Sequence, residues 1–322
     1  MPRVLVASAA QIYRLLSTSR AIAAVEDAFR SLADGEVQQP LRTVFPAGSG
    51  LFFDMPAAVG HYAGVKALTL LEANAGTNRP VIQGLVTLFD ARTGNPVAIL
   101  DAASLTAIRT AAASAVATRH MAREDAHVLA ILGSGVQART HFDAICAVRE
   151  VREIRVWSRS SAQARHFANV VRPHHFVRAC DTAEEAVRGA DIVCCVTGSP
   201  TPLLPSAAFA DGAHINAVGA HTRRTRELDG ATIARSRFVV DSMESARAEC
   251  GELALAVAEG ACTEQHIAAE LADVVMGRAA GRTSERELTV FKSLGLAMED
   301  VYAAAAVLEA ARDDVNAQWV TL

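Results

Sequence analysis

The amino-acid sequence predicts an α/β protein built from two domains, and three observations support this prediction. Apolar segments alternate with helical segments from His127 to Val240, which is typical of βαβ units around a parallel sheet. The first part of the chain instead contains short extended segments separated by turn sequences, which favours a mainly antiparallel sheet with helices. The length of 322 residues and the hydrophobic fraction of 51% allow two sizeable cores. We expect a parallel-sheet domain over residues 116–299 and an α+β domain made of residues 1–115 and 300–322.

The N-terminal third begins with a predicted strand and two predicted helices. The strand is Arg3–Ala7, and the helices are Ala10–Leu16 and Arg20–Ala33. Ser8 and the stretch Ser17 to Ser19 precede these helices as candidate N-caps. Extended segments follow at Arg42–Pro46, Leu51–Met55, Tyr62–Leu71, Gln83–Asp90 and Val97–Leu100. The last two flank turn residues that include Gly94 and Pro96, so we expect a hairpin there.

The second half of the chain contains the predicted parallel sheet. An Ala-rich stretch from Asp101 to Met121 predicts the helix that leads out of the first domain. Strands are then predicted at Val128–Leu132, Ile154–Trp157, Ile192–Val196, His214–Val218 and Phe238–Val240. We expect the terminal stretch Thr289 to Leu322 to be helical and to return to the first domain.

The strongest motif is Gly-Ser-Gly-Val-Gln-Ala at residues 133–138, between a predicted strand and a helix that runs to about Val148. Gly133 allows a tight turn, Gly135 allows the backbone to approach a pyrophosphate, and Ala138 allows the helix to pack closely on the strand. The helix N-terminus supplies amide donors and the positive end of a dipole. The motif therefore predicts a nicotinamide dinucleotide bound to a Rossmann domain, with a tight turn that binds no ligand as the alternative. The expected contacts are Gly133, Ser134, Gly135, Val136 and Gln137.

The end of the second strand of that domain bears on cofactor preference. An enzyme specific for NAD usually has Asp or Glu at this place to accept a hydrogen bond from the ribose hydroxyl. This chain has Ser158, Arg159 and Ser160 instead, which are suited to a ribose phosphate. We therefore expect NADP or NAD as cofactor, with NADP favoured; the alternative is an NAD enzyme in which Arg159 is only solvated.

Three cations of the first domain lie in apolar or small-residue surroundings. Arg42 opens a predicted strand, Lys66 lies inside another, and Arg109 lies in the Ala-rich helix. A buried cation needs an anion, because an unpaired buried charge is expensive. A substrate carboxylate is one candidate partner, and ordinary salt-bridged or snorkelling side chains are the alternative.

Composition excludes several classes of protein. The net charge is only -4 with both signs interspersed, which argues against a nucleic-acid partner. The sequence has no run of 18 apolar residues and no secretory pattern at its N-terminus, so we expect a cytoplasmic protein without membrane partners. The six cysteines contain no C-x-x-C pair, which favours reduced core thiols. The ten histidines show no ligand-like clustering, so no metal site is expected.

Seven segments, in chain order, resemble the ornithine cyclodeaminase/mu-crystallin family. They are Arg42, Met55–Ala57, Gly64–Lys66, Thr106–Ala113, Gly133–Ala138, Asn216–Gly219 and Thr289–Asp300. The resemblance implies a homodimer of chains that each combine a Rossmann domain with a dimerisation and substrate domain, made from the N-terminal third and the C-terminal helix. It implies that Arg42, Lys66 and Arg109 hold a substrate carboxylate. It also implies that Thr110, Thr197 and Val218 contact the cofactor, and that Lys292 and Ser293 lie near its nicotinamide end.

The resemblance also frames the expected reaction. The family contains ornithine cyclodeaminases, alanine-type dehydrogenases, reductases of cyclic imines and opine-type synthases. In the cyclodeaminases an Asp after the Val-Gly pair is the base for the distal amine, and His221 stands there in this chain. His221 can act as a general base near neutral pH, or it is a loop residue without chemistry. His221 cannot supply an anion for a distal ammonium, and three arginines in the same loop make the loop basic.

We therefore expect an NAD(P)H-dependent oxidoreductase of a small 2-imino acid or amino acid, with Lys66 polarising or protonating the imino nitrogen. The first alternative is ornithine cyclodeaminase, which recycles NAD. The second is a protein that binds a dinucleotide or a small ligand without catalysis, like mu-crystallin as a hormone-binding protein.

Overall fold

A computed structural model of the chain describes residues 3–74, 77–171 and 176–321. It divides into two compact units, residues 1–110 with 295–322 (unit 1) and residues 111–294 (unit 2). Each unit contains one eight-stranded sheet, mixed in unit 1 and entirely parallel in unit 2. The predicted α/β class, with one parallel sheet and one mainly antiparallel sheet, is confirmed.

Unit 1 combines a mixed sheet with helices from both ends of its sequence. Its strands are β1 (Arg3–Ala7), β2 (Val37–Gln38), β3 (Thr43–Ala47), β4 (Gly50–Val59), β5 (Tyr62–Leu70), β6 (Ile82–Asp90), β7 (Asn95–Asp101) and β16 (Trp319–Thr321). The sheet order is β16-β1-β7-β6-β5-β4-β2, and β3 pairs with β4. Its helices are α1 (Ala9–Leu15), α2 (Thr18–Ala33), α11 (Ala297–Arg312) and the first half of α3 (Ala102–Met121).

Local signals explain why these elements begin where they do. The Ser17 side chain accepts a hydrogen bond from Arg20 N–H and caps α2. The Gln11 side chain accepts one from Ser8 N–H at the start of α1. The predicted hairpin joins β6 to β7, and its turn contains Gly94 at a φ of 73°. Buried residues alternate along β4 and β5, so one face of these strands packs against α11.

Unit 2 contains eight parallel strands with helices between them. The strands are β8 (Val128–Leu132), β9 (Glu153–Trp157), β10 (Val177–Ala179), β11 (Ile192–Cys195), β12 (His214–Ala217), β13 (Arg237–Val240), β14 (Ile267–Glu270) and β15 (Thr289–Lys292). The helices are α4 (Val136–Cys146), α5 (Ser161–Val171), α6 (Ala183–Val187), α7 (Gly230–Arg235), α8 (Met243–Glu249), α9 (Gly251–Ala258) and α10 (Leu271–Val275). All six cysteines of the chain lie in this unit, as free thiols.

The strand order of unit 2 positions a binding crevice. The order is β10-β9-β8-β11-β12-β15-β13-β14, so the chain reverses direction across the sheet between β8 and β11. Ligands of open α/β sheets bind outside the carboxyl ends of the strands at such a reversal. Central strands such as β11 and β12 are buried along their whole length, which explains their continuous apolar sequences.

The predicted helix over the terminal stretch Thr289 to Leu322 is wrong at both ends. Thr289–Lys292 is strand β15, and it pairs with β12 and β13 in the parallel sheet. Trp319–Thr321 is strand β16, antiparallel to β1, and Leu322 lies outside the described residues. All four residues of β15 are buried, so the strand shows no alternation of apolar and polar residues that would distinguish it from a helix. The helical pattern that begins at Ala297 was therefore extended too far towards the N-terminus.

Candidate functional site

The Gly-rich motif forms the turn between β8 and α4. Gly133 has a φ of 129°, and a Cβ atom at this position would lie 2.7 Å from the carbonyl oxygen of Val196. Both facts require glycine, because the backbone conformation and the close approach exclude a side chain. Gly135 is the N-cap residue of α4, so the first amides of that helix follow it directly. The turn therefore leaves space and backbone donors for an anion.

A cavity of about 530 Å³ opens at the carboxyl ends of β8, β9 and β11, at the reversal point of the sheet. It is lined by Gly133, Ser134, Gly135, Trp157, Ser158, Arg159, Ser160, Gln163, Val196, Thr197, Gly198, Ser199, Pro200 and Leu203. The volume lies within the range of small-molecule and cofactor pockets. The cradle that a Cβ at Gly133 would fill, together with the amides of α4, fits the pyrophosphate of a dinucleotide.

The polar wall of this cavity comes from two loops. Ser134 Oγ donates to Ser158 Oγ at 2.9 Å, which ties the Gly-rich turn to the loop after β9. Arg159 is exposed beside these hydroxyls, and Ser160 is half-buried. The loop brings a guanidinium to the cavity and contains no carboxylate between Trp157 and Ser160.

Other predicted cofactor residues lie in the neighbouring elements. Val136 begins α4 and is 63% exposed, and Gln137 follows it. Val218 follows β12 and is half-buried, and Ser293 follows β15, where its N–H donates to Ala217 O. Thr110 lies in unit 1 and is buried within α3.

Glu227 holds the loops after β11 and β12 together, a contribution that the sequence motifs did not reveal. Its carboxylate accepts hydrogen bonds from Thr197 N–H at 2.7 Å, Thr197 Oγ1 at 2.6 Å and Gly219 N–H at 2.7 Å. The side chain is fully buried, and this burial raises its pKa. A Cβ at Gly219 would lie 1.9 Å from Thr197 O, so glycine is required for the close approach of the two loops.

The loop that follows Gly219 is largely exposed. His221 lies at the surface with its Nδ1 3.3 Å from Gly219 O. Arg223 and Arg224 are also exposed, whereas Arg226 forms a bidentate ion pair with Glu259. The loop therefore presents basic side chains to solvent.

Lys292 is buried and ion-paired within unit 2. Its side chain is fully buried in unit 2, and its Nζ lies 3.0 Å from Glu252 Oε2 and donates to Ala220 O. Glu252 Oε1 in turn accepts from Glu227 N–H. The ammonium is thus paired inside the unit and supports the loop after β12.

Unit 1 contains a buried cluster of two cations and two carboxylates. Lys66 Nζ lies 2.7 Å from Asp300 Oδ2, and Arg109 Nε donates to Asp300 Oδ1 at 3.0 Å. Arg109 Nη1 donates to Glu299 Oε2 at 2.8 Å. All four residues are at most 4% exposed. Asp300 therefore brings together Lys66 and Arg109, which the sequence identified as separate candidates.

The fold positions each member of this cluster. Lys66 lies on the buried face of β5, Arg109 lies on α3, and both acidic residues lie in the first turn of α11. Carboxylates are favourable at a helix N-terminus. Gly295 precedes α11 with a φ of 84°, and a Cβ there would lie 2.7 Å from Arg109 Nη1. The turn into α11 must therefore be glycine for the guanidinium to reach its partners.

Burial and the neighbouring charges shift the pKa values of Lys66 and Arg109 in opposite directions. Burial, followed by repulsion from Arg109, lowers the pKa of Lys66 to about 8, although Asp300 and Glu299 oppose this shift. For Arg109 the two carboxylates outweigh the effect of burial, and its pKa is raised. A substrate carboxylate was the partner that the sequence analysis predicted for these cations. Glu299 and Asp300 were not predicted as partners, although both lie in the C-terminal segment Thr289–Asp300.

Arg42 is placed differently from the other two predicted clamp residues. It directly precedes β3 and is half-buried, while Val44 and Phe45 on that strand are 43% and 47% exposed. The apolar residues next to Arg42 in the sequence are therefore exposed to solvent in a single chain.

Residues 3–74, 77–171 and 176–321 contain no candidate metal site and no candidate membrane-spanning helix. None of their His, Cys, Asp and Glu side chains form a group of three or more that is arranged to hold a metal ion. None of their helices is long and apolar enough to cross a membrane.

Comparison with known proteins gives one family match and three similar proteins. The sequence model of the ornithine cyclodeaminase/mu-crystallin family matches residues 3–314. Ketimine reductase mu-crystallin of Mus musculus is 38% identical over 302 residues, 92% of this chain and 93% of that protein. The structure of Thermococcus litoralis Delta(1)-pyrroline-2-carboxylate reductase in complex with NADH and L-proline superposes with a TM-score of 0.94 at 35% identity, over 98% of this chain and 100% of that one. An archaeal alanine dehydrogenase dimer with bound NAD gives a TM-score of 0.94 at 30% identity, over 99% of both chains.

Proposed function

The chain belongs to the ornithine cyclodeaminase/mu-crystallin family, and on this basis we propose that it is an NAD(P)H-dependent oxidoreductase of a small 2-imino acid or the corresponding amino acid. The observation that carries the proposal is the buried pair Lys66 and Arg109, joined by Asp300. Relatives are named for the reduction of ketimines and of pyrroline-2-carboxylate and for the dehydrogenation of alanine, and the last two of these compounds carry nitrogen on the carbon next to a carboxylate.

The substrate carboxylate is held by cations of unit 1. A guanidinium has five N–H donors, and the carboxylates of Glu299 and Asp300 engage Nη1 and Nε of Arg109. Within the described part of the chain no hydrogen bond from Nη2 is present, so this nitrogen is available to a ligand. Arg42 and Lys66 supply further positive charge, and Lys66 also exchanges a proton with the substrate nitrogen.

The cofactor binds at the cavity of unit 2. A nicotinamide cofactor bound there would supply or accept the hydride. Gly133, Ser134 and Gly135 receive the pyrophosphate together with the first amides of α4, which include those of Val136 and Gln137. Thr197, Val218 and Ser293 would contact the bound cofactor, because Glu227 fixes the loops that follow β11 and β12.

The nicotinamide cofactor of this chain is NADP in preference to NAD. The proposal rests on Ser158, Arg159 and Ser160, which bring a guanidinium and two hydroxyls to the cavity wall. A ribose phosphate would receive charge-assisted hydrogen bonds from such a group.

The subunits form a homodimer, as the archaeal alanine dehydrogenase does. The support is the apolar surface of β3 and its flanks, where Leu41, Val44, Phe45 and Leu51 are 37–47% exposed. Exposed apolar edges are liabilities that proteins usually cover. A second copy of the chain is the occupant that we propose for this surface.

Ornithine is disfavoured as the substrate. His221 and the exposed Arg223 and Arg224 follow Gly219, so this loop supplies positive charge where a distal ammonium needs a carboxylate. His221 remains a second candidate for acid–base chemistry.

The test is a spectrophotometric screen for oxidation of NADPH or NADH. The substrates are pyrroline-2-carboxylate, piperideine-2-carboxylate and pyruvate with amines, and ornithine with NAD and ammonia detection is the control reaction. We expect turnover with at least one imine and little or no ammonia from ornithine. Proline formation from ornithine at about 1 per second or faster, with no imine reduced, would replace this proposal with the cyclodeaminase.

A further inference from the structure

The buried charges of unit 2 do not balance. Among the residues of this unit that the structure describes, three carboxylates are buried, those of Glu227, Asp241 and Glu252, and one ammonium, that of Lys292. We propose that this excess of negative charge, acting from Glu227 behind the wall of the cofactor cavity, favours the oxidised, cationic nicotinamide ring and thereby promotes hydride donation. The inference rests on the function proposed above and concerns the direction in which the same cavity drives the reaction.

Glu227 lies directly behind the cavity wall. Thr197 lines the cavity, and its N–H and Oγ1 donate to Glu227 Oε1 at 2.7 and 2.6 Å. Gly219 N–H donates to Glu227 Oε2 at 2.7 Å, and a Cβ on Gly219 would lie 2.8 Å from the same oxygen. The carboxylate is therefore separated from the cavity by the loops after β11 and β12 and by no further layer of side chains.

The topology assigns these loops to the nicotinamide half of the site. A doubly wound sheet binds one nucleotide in each of its halves, and the ribose of the adenosine half is recognised at the end of the second strand. That strand is β9 in this chain, next to β8. The other half begins with β11 and β12, so the loops that Glu227 joins belong to the side that would receive the nicotinamide.

The hydrogen bonds of Glu227 match its ionised form. Each carboxylate oxygen accepts from a backbone N–H, a group that can only donate. Thr197 Oγ1 accepts from Ser199 N–H, which leaves its own hydrogen for Glu227. Burial raises the pKa of Glu227, whereas the hydrogen bonds from Thr197 and the charge of Lys292 oppose this rise.

The ammonium of Lys292 is engaged by a different carboxylate. Lys292 Nζ lies 3.0 Å from Glu252 Oε2, and Glu252 Oε1 accepts from Glu227 N–H at 3.1 Å. Asp241 accepts from Ser242 N–H and Leu294 N–H, so backbone amides stabilise this carboxylate. Three negative charges thus face one positive charge, and the carboxylate next to the cavity wall is the one without a direct ion pair to Lys292.

Hydride transfer changes the charge on the cofactor side of this wall. The hydride leaves the reduced ring with both electrons of its bond and forms a C–H bond at the imine carbon. The electrons of the C=N double bond move to the nitrogen, which takes up a proton. A positive charge remains on the ring, and a fixed negative charge in a buried site stabilises it as it develops. Glu227 thus supports donation of the hydride to the imine over its abstraction from the amine.

The experiment compares the affinities of the two redox forms of the cofactor. Glu227→Gln keeps the size of the side chain and removes its charge. Dissociation constants of NADP⁺ and NADPH, and of NAD⁺ and NADH, are measured by titration calorimetry on the full-length protein without substrate. We expect the variant to shift the ratio of the two constants by about 10-fold towards the reduced form of each pair, because the loss of the charge weakens the oxidised form more.

A matched control removes an exposed carboxylate of the same unit. Glu259 is ion-paired with Arg226, and 46% of its side chain is exposed. We expect Glu259→Gln to leave the ratio within about twofold of the parent value, because solvent screens this charge. Circular dichroism checks that both variants fold.

The ratio separates an electrostatic role of Glu227 from a purely structural one. If Glu227 only joins two loops, Glu227→Gln weakens both redox forms equally, and an unchanged ratio overturns the proposal. If Glu227→Gln does not fold, the parent protein decides. Binding of the oxidised form at least as tightly as the reduced form supports the proposal, and tighter binding of the reduced form overturns it. Failure of the parent to bind any of the four dinucleotides overturns the proposed function itself.

Discussion

Under the proposed function, Lys66 and Arg109 are the residues on which we expect activity to depend most directly. We expect Lys66→Ala and Arg109→Ala each to reduce kcat/KM for imine reduction by about 30- to 1000-fold, since removing a buried charge-assisted contact costs about 2–4 kcal/mol. Dinucleotide affinity should not change, because the cofactor cavity belongs to unit 2. Steady-state kinetics and fluorescence titration measure the two effects. Arg92→Ala, at an exposed ion pair on the β6–β7 turn, is the control, and near-normal turnover in both clamp variants would contradict the assignment.

The pH dependence of the reaction should show the titration of Lys66. Because its pKa is lowered to about 8, Lys66 is protonated below that pH and neutral above it. Imine reduction, which consumes the proton, should decline as the pH rises through about 8. Amino-acid oxidation, which needs the neutral amine as a base, should rise over the same range. The profiles of kcat/KM in both directions test this, and Lys66→Arg should remove the break near pH 8 because arginine does not titrate there.

Arg159 is the residue to which we attribute cofactor preference. We expect tighter binding of NADPH than of NADH, and we expect Arg159→Ala to weaken NADPH by about 10- to 100-fold while NADH changes little. Direct titration of both cofactors measures the ratio. Arg152→Ala, at an exposed arginine paired with Glu150, serves as the control. A parent protein that prefers NADH would disprove this interpretation.

The sequence identified these cations but not their partners. Lys66 and Arg109 stand out because a charge in an apolar segment is unusual, and that signal is local. Asp300 lies 191 positions from Arg109 along the chain, so no local pattern connects them. The role of Glu227 was not predicted either, because its loop sequence resembles that of a surface loop and gives no indication that its carboxylate is buried.

We expect cofactor binding to depend on the turn between β8 and α4. Gly133→Ala places a Cβ 2.7 Å from Val196 O at a φ that side chains rarely adopt. We expect dinucleotide affinity to fall by about 10-fold or more while unit 1 remains folded. Gly198→Ala is a matched control, since Gly198 lines the same cavity and a Cβ there would meet nothing within 4 Å. Equal affinity in the two variants would contradict the pyrophosphate cradle.

Element boundaries were predictable where the sequence shows a period or a cap. Ser17 and the Gly-rich turn indicated the starts of α2 and α4. The short strands β2, β10 and β14 have two to four residues, too few to show alternation. Strand β15 was hidden because pairing with its neighbours in the sheet, and not its own sequence period, makes it a strand.

Assembly is the property of the whole molecule that the exposed β3 surface makes testable. We expect a dimer in solution, and we expect Phe45→Asp to shift it towards the monomer, because a charge replaces a large apolar contact. Light scattering coupled to gel filtration measures the mass. Val315→Asp, at an apolar residue that is 96% exposed elsewhere in unit 1, should leave the dimer intact. A monomeric parent protein would contradict the assembly.

The distribution of the cysteines makes local opening of unit 2 measurable by thiol alkylation. All six lie in unit 2, and unit 1 has none. Burial raises the pKa of every one of these thiols, so little reactive thiolate exists in the folded chain near neutral pH. For the four buried thiols, Cys180, Cys194, Cys195 and Cys250, we expect alkylation to require local opening of the strands and helices around the sulfur. Peptide mass spectrometry follows the alkylation rate of each buried cysteine, which reports how often its part of unit 2 opens. Unit 1 gives no alkylation signal in the same experiment because it contains no cysteine.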